Sequence, residues 1–209
     1  MSSDQREIVL ILGQTGSGKT FAARALALGC SRVLIADSGF GDYAPIPTSE
    51  SYEDMLTTLD ALRAFDGVSP FRLALDFEPG LDDLDHDRPF ATALSLKHCW
   101  LIIEEADRFS FESHYYREAV YRGRHMGLSL CAVSLSPKDL PTDLRRQATK
   151  IISYRQIMPA DLDWLAEIMG PDAYKLAELP GPPAVPPHPY GLWTPAAGLQ
   201  FPALQKINA

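Results

Sequence analysis

Short apolar runs alternate along most of the chain with longer segments in which apolar residues recur every three or four positions. The runs have the length of buried strands, and the segments between them have the spacing of helices. This alternation predicts an α/β fold with a mainly parallel central sheet flanked by helices. The predicted strands cover residues 7–12, 33–36, 71–75, 100–103, 128–134 and 151–154. The predicted helices cover residues 19–28, 52–65, 111–126, 139–148 and 158–179, the last with a break at Gly170 and Pro171.

Two stretches lack either pattern. Residues 77–90 (FEPGLDDLDHDRPF) are acidic and predict a surface loop, and a solvated loop is favoured there over a metal site. From Pro180 onward the chain holds eight of its seventeen prolines, which predicts an irregular arm with a small hairpin around residues 190–200. We therefore expect one domain over residues 1–179. The arm, residues 180–209, would pack on that domain or on a neighbouring subunit.

Composition is that of a globular protein, with 46% hydrophobic and 22% charged residues in a chain of 209. No apolar run approaches the ~20 residues that span a bilayer, and charged residues interrupt the first twenty positions. We expect no stable membrane insertion and a cytoplasmic location. The three cysteines, Cys30, Cys99 and Cys131, lie in apolar stretches without metal-ligand spacing and are expected to be reduced, buried thiols.

The most specific motif follows the first predicted strand and opens the first predicted helix. It fits the Walker A pattern G-x-x-x-x-G-K-[ST], whose glycines let backbone N–H groups surround a phosphate. Lys19 would stand between the β- and γ-phosphates, and the Thr20 hydroxyl would bind Mg²⁺. The motif predicts a single RecA-like P-loop NTPase domain that binds MgATP. The predicted nucleotide-binding residues are Gly13, Gln14, Thr15, Gly16, Ser17, Gly18, Lys19, Thr20 and Phe21.

A second part of the site is expected where the apolar run 100–103 ends in two acids. Glu104 would hold the magnesium ion, and Glu105 would orient and deprotonate the attacking water. A kinase that acts on a small molecule has no need of the second acid. The pair therefore favours hydrolysis over phosphoryl transfer to a substrate.

Charge is distributed unevenly about a net value of −8. Residues 50–90 carry eleven acids and three bases, whereas residues 117–155 carry eight bases and three acids. The basic segment is either a surface that faces an anionic partner or only a solvated face.

The segment 122–155 resembles the HerA/FtsK superfamily of DNA-pumping motor ATPases, and among them the small genome-packaging ATPases of viruses. In that superfamily an arginine followed closely by glycine precedes the strand after Walker B, here Arg124 and Gly127. That strand usually ends in Ser/Thr-Gln-Arg-Pro, and here residues 134–137 read SLSP. The turn at 37–43, the helix and strand at 140–155, and the closing segments 176–179 and 190–194 are also similar.

The resemblance implies further roles and shows three departures. Leu135 replaces the sensor glutamine, Ser136 replaces the usual arginine after it, and Glu104 replaces the commoner aspartate as the first Walker B acid. Arg124 is the implied arginine finger, which would reach the γ-phosphate of the next subunit and require a ring. Its alternative role is a helix-end arginine, with Arg145 and Arg155 as further candidates for the finger. The family's sensor glutamine is replaced by Leu135, whose side chain has no hydrogen-bonding group. Sensing of the γ-phosphate would then fall to Ser134 or another residue.

The resemblance implies a homo-oligomeric ring, a pentamer or hexamer, that packages double-stranded DNA. A capsid vertex or portal protein would be a further partner, with the host cytoplasm and the virion as locations. The alternative is a phage assembly or secretion ATPase of the same fold that acts on protein. A helicase, suggested by the EEAD sequence at 104–107, needs two RecA-like domains, and a clamp-loader ATPase needs a helical lid. We expect this chain to hold only one RecA-like domain, and its proline-rich arm cannot form a helical lid.

Overall fold

The computed structural model describes residues 6–37, 43–76, 83–181 and 188–202. The strands are β1 (Ile8–Leu12), β2 (Arg32–Asp37), β3 (Thr48–Ser49), β4 (Phe71–Asp76), β5 (Trp100–Ile103), β6 (Ser129–Ser134), β7 (Lys150–Ser153), β8 (Gly191–Thr194) and β9 (Gly198–Gln200). The α-helices are α1 (Lys19–Gly29), α2 (Tyr52–Ala61), α3 (Asp83–Leu96), α4 (His114–Arg122), α5 (Thr142–Arg146) and α6 (Pro159–Met169). None of the helices in these ranges is long and apolar enough to cross a membrane.

Shorter 3₁₀ segments connect several of these elements. They are Ala64–Asp66, Ala106–Arg108, Gly123–Met126, Pro137–Asp139 and Pro171–Glu178. The predicted helix at 158–179 is therefore an α-helix and a 3₁₀ segment, and they meet at Gly170 and Pro171 as the sequence indicated.

The described strands form one sheet in the order β3-β4-β2-β5-β6-β1-β7-β8-β9. Pairing is parallel from β3 to β7, and β8 and β9 form an antiparallel hairpin that continues the sheet from β7. The predicted α/β class with a mainly parallel sheet is confirmed. Because parallel strands end at the same edge, the loops that follow β1, β2, β5, β6 and β7 lie close together.

Helices cover the sheet on both faces, which explains why its strands read as unbroken apolar runs. In β1, Ile8, Leu10 and Leu12 belong to one buried cluster, which residues of α2, α3, α4 and α6 complete. Val9 and Ile11 point to the other face and pack in a second cluster with Ala23 and Ala27 of α1. On this second face α1 therefore packs together with Tyr43, Ile46 and Tyr154.

The predicted loop at 77–90 is wrong in its second half. Residues 77–82 lie outside the described ranges, but α3 begins at Asp83 and continues through Pro89 to Leu96. Phe90, Ala93 and Leu96 recur every third residue and are fully buried, so their packing outweighs the acidic composition and the proline.

Candidate active site

The segment between β1 and α1 forms a tight loop whose glycines have left-handed backbone angles. Gly13 has φ 152° and Gly18 has φ 102°, values that other residues rarely adopt. A Cβ at Gly13 would stand 2.7 Å from the Tyr154 Cβ, so no side chain fits there. The Gly13 N–H donates to the Ser134 carbonyl at 3.2 Å. The Walker A sequence thus forms a compact loop that is tied to the end of β6.

The first turn of α1 lacks a side-chain cap, as do α5 and α6, and at α1 this uncapped start adjoins the phosphate loop. Its N-cap residue, Gly18, accepts no hydrogen bond through a side chain, and the first turn contains no acid. By contrast, Ser51 and Ser113 cap α2 and α4 through their hydroxyls. An uncapped helix start leaves N–H groups and a partial positive charge for an anion. This arrangement suits the phosphates of a nucleotide.

Lys19 extends back across the loop. Its Nζ donates to the Gln14 carbonyl oxygen at 3.0 Å. Burial lowers the pKa of Lys19, and the carboxylates of Glu104, Asp107 and Glu105 oppose that shift. The ammonium group therefore lies between the phosphate loop and the acidic segment that follows β5.

Glu104 directly follows β5 and is a buried carboxylate with 4% exposure. The Tyr43 hydroxyl donates to its Oε1 at 2.6 Å, and the Thr20 side chain also hydrogen-bonds to it. Burial raises the pKa of Glu104 and nearby Asp37 adds to the shift, whereas the hydrogen bonds from Tyr43 and Thr20 lower it. The structure thus brings together the two residues predicted to bind metal, Thr20 and Glu104.

This pair has the chemistry expected for Mg²⁺ bound together with a nucleotide. Mg²⁺ takes few protein ligands, commonly one or two carboxylates, and completes its shell with phosphate oxygens and water. The Thr20 hydroxyl and the Glu104 carboxylate supply oxygen ligands beside the phosphate loop, so the residues present fit the ion.

Glu105 has a different environment from its neighbour, although only one peptide bond separates them. Its backbone is left-handed, with φ 46° and ψ 49°, and it starts the 3₁₀ segment Ala106–Arg108. For a residue with a side chain such a conformation costs roughly 1–3 kcal/mol and is typical of functional sites. The side chain is 45% exposed, and Arg108 Nη1 lies 2.9 Å from its Oε2. Water can therefore reach this carboxylate directly.

Residues 134–136 lie at the end of β6, which stands between β1 and β5 in the sheet. They occupy the position at which the sequence resemblance predicted the γ-phosphate sensor. Ser134 is buried and its hydroxyl donates to the Ser136 carbonyl at 2.9 Å. Leu135 is 44% exposed, and Ser136 donates to Asp161 Oδ1 at 2.6 Å. Ser134 is therefore the residue of this group that also contacts the phosphate loop.

The three candidate arginines lie in different parts of the fold. Arg124 belongs to the Gly123–Met126 segment before β6, at the sheet edge opposite the phosphate loop, about 20 Å away at ~3.3 Å per strand residue. Arg145 stacks on Trp164, with its guanidinium carbon 5.0 Å from the ring centroid. Arg155 follows β7 and donates to the Ala177 carbonyl at 3.3 Å. Of the three, Arg155 is on the same edge as the loop.

Sequence reasoning missed three side chains that contact the site. Tyr43 holds Glu104, Tyr154 donates to the Gly18 carbonyl at 3.1 Å, and the His188 ring packs on Gly18. These contacts join segments far apart in the chain, so no local spacing could reveal them. The one usable signal was that Tyr154 is the last residue of a predicted strand of the sheet.

The structure resembles solved structures along nearly its whole length. The genome packaging NTPase B204 from Sulfolobus turreted icosahedral virus 2, in complex with AMP, matches with a TM-score of 0.70 and 20% sequence identity. The match covers 97% of this chain and 98% of that chain. This chain has the fold of a P-loop NTPase. The same protein in complex with AMPPCP matches with a TM-score of 0.69 and 18% identity, over 93% and 96% of the two chains.

Other neighbours share the P-loop NTPase fold within longer chains. The pCW3 conjugation coupling protein TcpA, with ATPγS, matches with a TM-score of 0.56 and 14% identity over 94% of this chain and 60% of that one. No protein-family model matches the sequence, and a search of curated proteins finds no match. The resemblance to HerA/FtsK-type ATPases is confirmed at the level of the fold.

Proposed function

We propose that this P-loop NTPase hydrolyses ATP to move double-stranded DNA, as a homo-oligomeric ring of five or six subunits. The observation that carries the proposal is the match with the genome packaging NTPase B204 over 97% of this chain and 98% of that one. Almost no part of either chain lies outside the match. The structural likeness therefore extends over nearly all of both chains and is not limited to a nucleotide-binding core. A capsid vertex or portal protein is the proposed partner that would recruit the ring.

The geometry of the loop supports ATP as the bound nucleotide. Backbone N–H groups of residues 14–18 and the uncapped start of α1 would surround the β-phosphate, while the Gly13 N–H stays bonded to the Ser134 carbonyl. Lys19, which now donates to the Gln14 carbonyl, would exchange that bond for phosphate oxygens. Bound Mg²⁺, held by the Thr20 hydroxyl and Glu104, would neutralise charge on the β- and γ-phosphates.

Glu105 is the proposed general base. It would accept a proton from the water that attacks the γ-phosphorus, while Lys19 balances the negative charge of the transition state. The ion pair between Glu105 and Arg108 must open for this step, and its partners are about half exposed. Exposed pairs of this kind are weak, at about 0–1 kcal/mol, so the opening is easy.

As an arginine finger, Arg124 would act on a neighbouring subunit, because its position lies at the edge opposite its own phosphate loop. It is exposed, as a residue that reaches into another subunit must be before assembly. In a ring each subunit would then complete the site of the next. A monomer with full hydrolytic activity would contradict this role.

The proposed DNA surface is the exposed side of α4 and α5. The two helices are joined by the Tyr116 hydroxyl, which donates to Asp143 Oδ1 at 2.6 Å. Five basic residues of this region are the candidate phosphate contacts: Arg117, Arg122, Arg145, Arg146 and Lys150. Three of them have partners, since Arg122 pairs with Glu118, Lys150 pairs with Glu7, and Arg145 stacks on Trp164. Arg117 and Arg146 are exposed and make no ion pair within the described residues.

Replacing both Arg117 and Arg146 with glutamine is expected to weaken duplex binding and reduce its dependence on salt. Each lost phosphate contact lowers the slope of log K against log salt by about 0.9, so the slope should fall by about 1.8. Fluorescence anisotropy with two unrelated duplex sequences, at several salt concentrations, measures both quantities. Binding should not depend on sequence, because phosphate contacts carry no base information.

The matched control for this pair is Arg63→Gln with Lys175→Gln, which removes the same charge from exposed positions elsewhere on the surface. Its salt slope should equal that of the unaltered protein. Equal slopes in all three proteins would contradict the proposed surface.

The second candidate function is an ATPase that drives protein secretion. One observation favours it: the cytoplasmic domain of the Thermomonospora curvata Type VII secretion ATPase EccC matches 92% of this chain, with a TM-score of 0.54 and 16% identity. That match covers 24% of the longer chain, and its TM-score is lower than that of the packaging NTPase. Hydrolysis that is indifferent to DNA would favour this second function.

A further inference from the structure

The arm that precedes β8 contacts the phosphate loop through His188. A Cβ added to Gly18 would stand 2.4 Å from His188 Cδ2 and 2.7 Å from its Cγ. The imidazole therefore lies directly against the backbone of the turn that opens α1. The glycine, which the Walker A motif requires, also makes room for this ring.

Two tyrosines extend the contact into an aromatic group. The Tyr154 hydroxyl donates to the Gly18 carbonyl at 3.1 Å, and its ring meets His188 edge-on with centroids 6.4 Å apart. The ring centroids of Tyr190 and Tyr154 are 5.9 Å apart. Burial raises the pKa of Tyr154 to about 12, so its hydroxyl stays protonated and donates at neutral pH. We call His188, Tyr154 and Tyr190 the aromatic seat.

One atom of the aromatic seat lacks a partner. His188 Nδ1 is buried and makes no hydrogen bond within the described residues. A buried polar atom without a partner is unfavourable, and such atoms are rare unless a water or ligand meets them. Packing against the loop alone does not explain an imidazole here, because a phenyl ring would pack equally well without this cost.

The location of the seat indicates which part of a nucleotide would reach it. If the loop and the first turn of α1 hold the phosphates, the sugar and base of the same nucleotide must extend away from the loop beside that turn. The seat lies on this turn at Gly18, and the exposed ring of Phe21 lies just beyond it along the helix. Aromatic faces stack on bases without regard to sequence, and an imidazole nitrogen can donate to or accept from a hydroxyl or ring nitrogen.

We propose that the aromatic seat binds the nucleoside part of the bound nucleotide, with a purine against its rings and His188 Nδ1 hydrogen-bonded to the sugar or base. The inference rests on the proposed function, since it concerns the same ATP site. It assigns the arm a direct part in holding the nucleotide. Binding of ATP would also stabilise the arm against the loop.

The test separates the nucleoside from the phosphates by calorimetric titration with AMP and with inorganic tripolyphosphate. His188→Ala should weaken AMP binding about 10-fold, within the range for the loss of one base–aromatic contact. Its affinity for tripolyphosphate should change less than about 2-fold. His125→Ala, at an exposed position on the far edge of the sheet, is the matched control and should bind both probes like the unaltered protein.

Tyr190→Leu provides a second variant in case His188→Ala disturbs the arm. Tyr190 is only partly buried, and the leucine keeps an apolar side chain at this position. It too should lose affinity for AMP alone. Equal losses for AMP and tripolyphosphate in both variants would overturn the proposal, since the rings would then only brace the loop. Unchanged AMP binding would overturn it as well. Failure of the unaltered protein to bind tripolyphosphate would instead contradict the proposed function.

Discussion

Lys19→Ala is expected to abolish binding of MgATP, with affinity reduced at least ~100-fold. Lys19 is the side-chain cation that lies on the loop, where its Nζ already bonds to a loop carbonyl. Without it, the phosphates would meet only backbone dipoles while facing the carboxylates of Glu104, Asp107 and Glu105. Loss of a charge-assisted contact in a partly buried site is costly for this reason. Calorimetric titration with a non-hydrolysable ATP analogue measures the affinity.

The control for this variant is Lys97→Ala, which removes an exposed lysine from the loop before β5, at the far edge of the sheet. It should bind the analogue normally. If Lys19→Ala remains folded by circular dichroism and binds with unchanged affinity, the phosphate-loop assignment is wrong.

Glu105→Gln should reduce the turnover of ATP at least ~100-fold, the scale of general-base loss, while ATP binding is retained. The amide keeps the size of the side chain but cannot accept the proton from water. Because Glu105 is half exposed and pairs with Arg108, whereas Glu104 is buried and bonded to Tyr43 and Thr20, the change should leave the Thr20–Glu104 pair intact. Steady-state phosphate release and analogue titration together separate turnover from binding.

Glu104→Gln is the informative comparison. Glu104 is buried, with Tyr43 and Thr20 bonded to it, so the amide should weaken the magnesium dependence of binding as well as turnover. If Glu104→Gln abolishes turnover without changing magnesium dependence and Glu105→Gln is fully active, the two roles are reversed.

The sequence predicted the elements that position the site because their patterns are local. Strands buried on both faces read as apolar runs, and the loop from Gly13 to Thr20 is a contiguous motif between a strand and a helix. The two glutamates were found in the same way, at the end of such a run. The fold prediction is confirmed, while the roles of Glu104 and Glu105 stay predictions.

What the sequence could not predict depends on contacts between distant segments. The acidic residues and Pro89 of α3 predict a loop, although the helix has three fully buried positions. The left-handed backbone of Glu105, which separates its environment from that of Glu104, has no local signature. His188 lies in a proline-rich stretch that predicted only an irregular arm, and its contact with Gly18 spans most of the chain.

The side of the sheet on which Arg124 lies follows from the order of the elements alone. In a parallel sheet, residues just before a strand lie at the edge opposite the loops that follow the strands. A residue that precedes β6 therefore cannot reach its own phosphate loop. That geometry turns the finger assignment into a proposal about assembly.

The most direct measurement of the central proposal is the rate of ATP hydrolysis with and without duplex DNA, on protein whose oligomeric state is determined in the same buffer by light scattering. We expect a ring whose hydrolysis is stimulated several-fold by duplex DNA at low salt, with the stimulation lost as salt rises, because the contacts are to phosphates. Glu105→Gln protein sets the background rate. Hydrolysis by assembled rings that is the same with and without DNA at low salt would contradict a DNA motor.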